Sequence, residues 1–179
     1  MRGGIVVRRL GVIVALGAML GMFAGVVTAS PALAGRGPKW EIVEAGPFTL
    51  PANFCGFKIR VTPTVDKEFI KVLKAADGSM TTLITGARKI TFTNLGTGKA
   101  ITANLSAALK MTTHADGSVT VKGTGHAATL LKPADAKRFG LPTVSVPAGN
   151  LTESVAADGT FTSLSLRGHI LVDVCAALS

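Results

Sequence analysis

Tyrosine is absent from this 179-residue chain, and tryptophan occurs once, at Trp40. Proteins that grip single-stranded nucleic acid or sugars lean on aromatic platforms, so the composition disfavours both kinds of partner. Acidic residues number ten against 19 lysines and arginines. They are too scattered for a calcium loop, which needs several closely spaced oxygen donors. The two cysteines form no CxxC pair, which removes the usual redox motif and the common zinc spacings. No serine lies in a Gly-x-Ser-x-Gly elbow or a Ser-x-x-Lys arrangement, so the familiar hydrolase signatures are missing too. The sequence offers no catalytic residue, no metal-ligand set and no cofactor fingerprint, and it reads as a non-catalytic protein.

The remaining candidates for chemistry are weak. His114 and His126 flank one proposed strand and fall roughly 25 Å apart at about 3.3 Å per residue, too far to share a zinc ion. His169 has no acidic or histidine neighbour in the sequence. Asp66 and Glu68 form a closely spaced acidic pair of the kind used in acid–base catalysis, but they read better as polar residues between strands. The sequons at Asn104 and Asn150 are short patterns that arise by chance, and Asn104 falls inside a strand pattern.

One long hydrophobic run is present, and it sits at the start. Arg2, Arg8 and Arg9 precede an apolar stretch from Leu10 to Ala29, and Ala32-Leu33-Ala34 supplies a small-x-small cleavage pattern. Residues 1–34 therefore read as a signal peptide cut after Ala34. The alternative is an uncleaved membrane anchor, since about 20 apolar residues just span a bilayer. Ser30-Pro31 breaks the run and favours cleavage, and the Arg8-Arg9 pair leaves a twin-arginine route as a minority reading. Residues 35–179 then carry 16 basic and 10 acidic residues. The cations are spread in singles and pairs, as on a solvated surface, though the excess also suits an anionic envelope component.

In an exported chain, an isolated cysteine pair points to a disulfide between Cys55 and Cys175, with a metal or redox pair as the rival. It would tie the two ends of a single domain. Residues 35–46, rich in Gly, Pro and Glu, read as a tether or as a first short strand at Trp40–Val43. Residues 47–179 form the domain.

Three copies of Ala-Asp-Gly organise that domain: Asp77-Gly78, Asp116-Gly117 and Asp158-Gly159, each followed by Ser or Thr. Asp-Gly between alternating apolar runs signals a hairpin. A three-residue bulged loop at Asp116-Gly117 sets Thr113 opposite Val119, Met111 opposite Val121 and Leu109 opposite Gly123. Strand patterns run over 57–61, 69–74, 80–94, 101–113, 119–121, 143–146, 151–156 and 161–172. Gly86 marks a bend, Pro133 to Gly140 a helical turn, and Asp173 caps a final turn over 174–178. Gly123 and Gly125 leave room on an inward face for a bend or a bound group. The fold class is all-β: an antiparallel meander of about eight strands forming a small β-barrel, with a β-sandwich as the alternative and a short C-terminal helical turn.

The combination of Asn53-Phe54-Cys55-Gly56-Phe57, Phe92-Thr93-Asn94-Leu95-Gly96-Thr97-Gly98-Lys99, the Asp-Gly turns and the closing Asp173-Val174-Cys175-Ala176-Ala177-Leu178 resembles a group of uncharacterised secreted β-rich proteins of actinobacteria. The resemblance spans residues 53–178 and implies a secreted, disulfide-bonded β domain, with no activity attached.

Two functions follow as expectations. One is a secreted monomeric binding protein holding a small apolar or amphipathic ligand near Gly123 and Gly125. The other is a cell-envelope module that meets an anionic polymer or lipid surface.

Overall fold

A computed structural model describes residues 38–179; the leader and its cleavage site lie outside the described residues. The three Ala-Asp-Gly turns set the register of everything else. In each, the residue before the turn exchanges backbone hydrogen bonds across it, as between His114 N and Ser118 O at 2.8 Å. Gly78, Gly117 and Gly159 all adopt φ near +84°, within the left-handed region. Each aspartate Oδ1 accepts the backbone N–H two residues on, at 2.9 Å, which locks the turn from within. Hydrogen bonds from the Ser79 and Ser118 hydroxyls, followed by those from the backbone, hold Asp77 and Asp116 below the usual aspartate range, and Thr160 N–H followed by its hydroxyl does the same for Asp158.

The turns join β3 (Ile59–Lys74) to β4 (Met80–Asn94), β6 (Ala107–Thr113) to β7 (Val119–His126), and β9 (Val144–Val155) to β10 (Phe161–Asp173). Thr113 lies opposite Val119, Met111 opposite Val121 and Lys110 opposite Lys122. Met80 pairs with Thr113 and Val119 with Val155, so all three turns fall side by side at one end of the sheet. Short strands complete it: β1 (Glu41–Val43), β2 (Phe48–Leu50), β5 (Ala100–Asn104) and β8 (Thr129–Leu130). The result is one antiparallel sheet of ten strands, with main order β1-β3-β4-β6-β7-β9-β10.

No pairing closes this sheet into a barrel, because β10 has β9 alone as a neighbour. The sheet forks instead. Near the turns it is continuous from β3 to β10. Farther away β4 leaves β6 and pairs with β5 from Lys89 onward, while β9 leaves β7 and pairs with β8. Two wings result, β2-β3-β4-β5 and β8-β9-β10, and they face each other. Their inner side chains form the main core: Ile59, Val61, Ile90 and Phe92 from one wing, Leu130, Val144 and Val146 from the other.

The fork follows a row of close backbone approaches. Gly125 pairs with Gly149, and Gly149 pairs with Gly168, on three adjacent strands. A Cβ on Gly149 would fall on the carbonyl oxygen of Arg167, and one on Gly168 would fall on that of Ala148. Gly149 also sits at φ +127°, where an L side chain is strained. The row continues through Ala107, opposite Gly125, to Gly86, whose own missing Cβ would meet the Lys67 carbonyl. Side chains of any size would hold these strands apart.

Several elements are longer or more broken than their patterns predict. β3 runs unbroken through Pro63, because Thr62–Lys67 forms an edge between the strands paired at 59–61 and 68–70, where a missing N–H costs no ladder bond. The expected strand over 101–113 is split at Leu105-Ser106, where the Asn104 side chain accepts from Ser106 N at 2.9 Å. β9 runs straight through Pro147-Ala148-Gly149.

The wings are closed at the far end by α2 (Val174–Leu178), capped by Asp173 through Ala176 N–H at 3.0 Å. The Cys55–Cys175 disulfide ties α2 to the start of the domain across 120 residues. A loop of that length corresponds to about 5 kcal/mol in the chain-entropy picture. Asn94, 3 % exposed, adds a second tie by donating Nδ2–H to the Leu178 carbonyl at 3.0 Å. A smaller core lies where α1 (Pro133–Phe139) covers β9 and β10 through Leu131, Ala136, Val155 and Phe161.

Gly149→Ala tests the glycine row. Strain at this φ and the clash with Arg167 together predict a loss of about 3 kcal/mol or more, or failure to fold, read as the urea midpoint. Gly46→Ala, where a Cβ meets nothing within 4 Å, should leave the midpoint unchanged.

Candidate functional site

The expected room above Gly123 and Gly125 is filled. A Cβ on Gly123 would come within 2.6 Å of Leu109 Cδ2, and Gly125 is pressed against the Ser106 carbonyl and Ala107. On the inner face these contacts pack both glycines, while Gly123 also lines an open groove across the sheet.

Space opens instead at the fork between the wings. An apolar cavity of about 60 Å³ lies there, lined by Phe48, Val61, Leu105, Leu109 and Leu130 among others. That is room for about two water molecules. Val43, Ala45 and Phe48 form one wall, so the N-terminal segment read as a tether is part of the enclosure. This strap is held by the three-residue pairings of β1 and β2 with β3. It is also held by Ala45 N–H donating to Asp66 Oδ2 at 2.6 Å.

Arg88 and Glu68 are the only charged residues in the cavity wall. Arg88 follows the inward parity of Ile84, Ile90 and Phe92 and is 8 % exposed. Its Nη1 donates to Glu68 Oε2 at 2.7 Å, the single ion pair among the described residues. Burial pushes the Glu68 carboxyl above the usual range, and the guanidinium offsets this only in part. Asp66 lies directly opposite Arg88 in the register. Two buried atoms lack hydrogen-bond partners here: Arg88 Nε and Asp66 Oδ1. Asp66 and Glu68 are thus inward-facing residues inside β3, not polar residues between strands. An orphaned guanidinium N–H in an apolar enclosure costs on the order of 1–3 kcal/mol. Packing alone does not call for it.

The sequence candidates are otherwise dispersed. His114 Nε2 lies 3.0 Å from Thr120 Oγ1 at the turn end, and neither residue lines the cavity. Among the described residues no three of His, Cys, Asp or Glu gather as a metal site. The three turn aspartates bond their own loops.

A second buried acid escaped notice in the sequence. Glu153, 2 % exposed, faces the small core between Val121 and Leu164 on the neighbouring strands. Burial raises its pKa from 4.5 to about 7. Alternation with Leu151 and Val155 was the available signal.

Comparison with protein-family models, with curated proteins and with solved structures found no match to this chain.

Glu153 carries a pH dependence of definite sign. Its folded pKa exceeds its unfolded value, so its contribution is full below pH 4.5 and is lost as pH rises through about 7. The difference in unfolding free energy between Glu153→Gln and the parent should grow in the variant's favour across that window, by about 3 kcal/mol, then flatten. Urea unfolding of both proteins at pH 4 to 8 checks this. A constant difference would mean that the carboxyl titrates normally.

Proposed function

We propose that this is an exported, non-catalytic binding protein that holds a small amphipathic ligand between the wings of its forked sheet. The observation that carries the reading is Arg88, more than nine-tenths buried, with an unpartnered Nε at the wall of an otherwise apolar cavity. Of the two orphaned atoms here only Arg88 belongs to the cavity wall, and its Nε–H is a donor, so the ligand's polar end offers it an acceptor. Glu68 already pairs with the guanidinium and Asp66 lies opposite Arg88 in the register, so a further carboxylate would meet repulsion from both. A neutral oxygen head is therefore favoured: an alcohol, ester or amide carbonyl on an apolar body.

The enclosed volume accommodates the head. Drug-sized ligands occupy roughly 300–1,000 Å³, so the body needs part of the strap from Val43 to Leu50 to swing aside. Leu50 is anchored in the main core, with Phe48 packed against it, so the movable part is the stretch around residues 43–47, held by the β1 pairs and the Ala45–Asp66 hydrogen bond. The wings, α2 and the strap together supply the enclosure that a closed barrel would have given.

Export is supported by the leader pattern and by the Cys55–Cys175 bond, which fits an oxidising compartment. No helix among the described residues is long and apolar enough to cross a membrane.

Native mass spectrometry of the protein from the culture supernatant of an expressing bacterium tests the proposal. The expected spectrum shows a chain starting at Gly35, two hydrogens lighter, with a discrete added mass. Arg88→Met combined with Glu68→Leu removes both partners of the buried pair, which such sites usually tolerate. That variant should fold and lose the added mass. A bare parent protein would sink the ligand-holding reading.

A further inference from the structure

The outer face of the sheet carries a second feature, resting on different observations. An open groove of about 550 Å³ runs across β4, β6, β7 and β9. Lys110, Lys122, Thr124, Asn150 and Thr152 line it together with the apolar Leu83, Ala108 and Leu151, and Trp40 stands at its wall. The sole tryptophan of the chain, read from the sequence as part of a tether or of a first short strand, is thus fixed beside β1 and half exposed over this face.

Three properties set the groove apart from an ordinary solvated surface. Lys110 and Lys122 are direct cross-strand partners, an arrangement that repels and weakens a sheet. No carboxylate offsets them. The flanking rows on this face hold Thr81, Thr112, Thr120, Ser154 and Ser163 on one side and Thr124, Asn150 and Arg167 on the other. Six of the ten acids are engaged elsewhere: Glu68, Asp66 and Glu153 face inward, and Asp77, Asp116 and Asp158 are tied into the turns, while Glu41, next to Trp40 in sequence, has the inward parity of its register partner Ile70. Third, the floor is organised for hydrogen bonding, with Thr124 Oγ1 donating to Asn150 Oδ1 at 2.9 Å.

We infer that this groove binds a linear anionic glycan, with sugar carboxylates meeting Lys110 and Lys122. Ring hydroxyls meet Thr152 and Asn150, and one sugar face lies against the indole of Trp40. Charge selects an anion, and the paired ammonium groups space two negative charges along one chain. The hydroxyl and amide groups beside the lysines can hydrogen-bond a polyhydroxylated ligand, and Leu83, Ala108 and Leu151 offer its apolar ring faces a surface. A bilayer would be met by apolar side chains projecting beyond the lysines, whereas here the lysines line the floor. The exposed pair Ile42 and Phe69 beside the groove is the one feature that suits lipid, and it makes an anionic membrane the competing outcome.

Because Trp40 is the only tryptophan, its intrinsic fluorescence reports on the groove directly. The parent protein is titrated with oligogalacturonate, with neutral malto-oligosaccharide of equal length, and with phosphatidylglycerol vesicles. The expected result is saturable quenching or a spectral shift with oligogalacturonate alone, weakening steeply as salt is raised. Lys110→Thr with Lys122→Thr should weaken binding by at least roughly tenfold. The same variant should keep or raise the thermal midpoint, because a repulsive pair is replaced by a strand-forming residue. No response to oligogalacturonate, an equal response to the neutral sugar, or a response to vesicles alone would each overturn the inference. So would a double variant that binds as tightly as the parent.

Discussion

Backbone proximity along one row of residues governs this molecule. Where Gly149 meets Gly168, and where Gly125 meets Ser106 and Ala107, neighbouring strands approach more closely than a Cβ permits. On the turn side of that row the sheet is continuous; beyond it the strands change partners and separate into wings. The wings face each other because each has one apolar side, and burying both against one another is the cheapest way to remove them from water. The main core, the cavity at its base and the seat for α2 all follow from the fork. The disulfide and the Asn94–Leu178 hydrogen bond then fasten the far end, where two wings with no strand pairing between them would otherwise part.

The buried charges make sense in that geometry. At a fork the strand ladder is interrupted, and local polar groups must find other partners. Arg88 shows how: its N–H bonds Ser106 Oγ at 3.2 Å and its carbonyl accepts Leu105 N–H at 2.8 Å, both at the break between β5 and β6. The side chain then enters a space that neither wing fills. A buried ion pair gains little net stability over apolar side chains of similar size, so stability is a poor reason for Arg88 and Glu68 to be there. Recognition of a polar head group is a better one. Glu153 differs, since it has no cation beside it and sits under α1, where its ionisation works against the fold at neutral pH.

Much of this architecture was legible because its determinants are local. The Asp-Gly turns specify loop length, loop length specifies register, and the pairing of Thr113 with Val119 follows from a few residues of chain. The capped helical turns at Pro133 and Asp173 are local in the same way. What escaped was non-local. Gly86, Gly125, Gly149 and Gly168 are unremarkable one at a time, and their significance lies in alignment across strands far apart in sequence. Gly86 reads as a bend and Gly123 as a gap, yet Leu109 fills that gap from the next strand. Arg88 lies in phase with Ile84, Ile90 and Phe92, but alternation gives no reason to bury a charge until its partner Glu68 is known to lie on the adjacent strand. A first short strand at Trp40–Val43 was one of two readings of that stretch and β1 bears it out, but the face Trp40 takes was not legible, since a three-residue strand has no periodicity to read.

The two faces of the sheet are chemically segregated, and β1 belongs to both. Alternation puts Trp40 and Ile42 on the outer side and Val43 on the inner, so one short strand supplies a wall of the groove and a wall of the cavity. The same holds across the sheet, where Leu109 packs toward the cavity and Lys110, its neighbour, stands in the groove. β1 is fastened by three register pairs, with the Ala45–Asp66 hydrogen bond just beyond. This is a small anchorage beside the sixteen-residue span of β3 to which it attaches. A displacement of β1 wide enough to admit a ligand body moves the indole as well, and a ligand that clamps the indole holds the strap shut. Were both proposed sites to bind as argued, reciprocity of binding free energies would couple them. The coupling needs no long pathway: it runs through three residues.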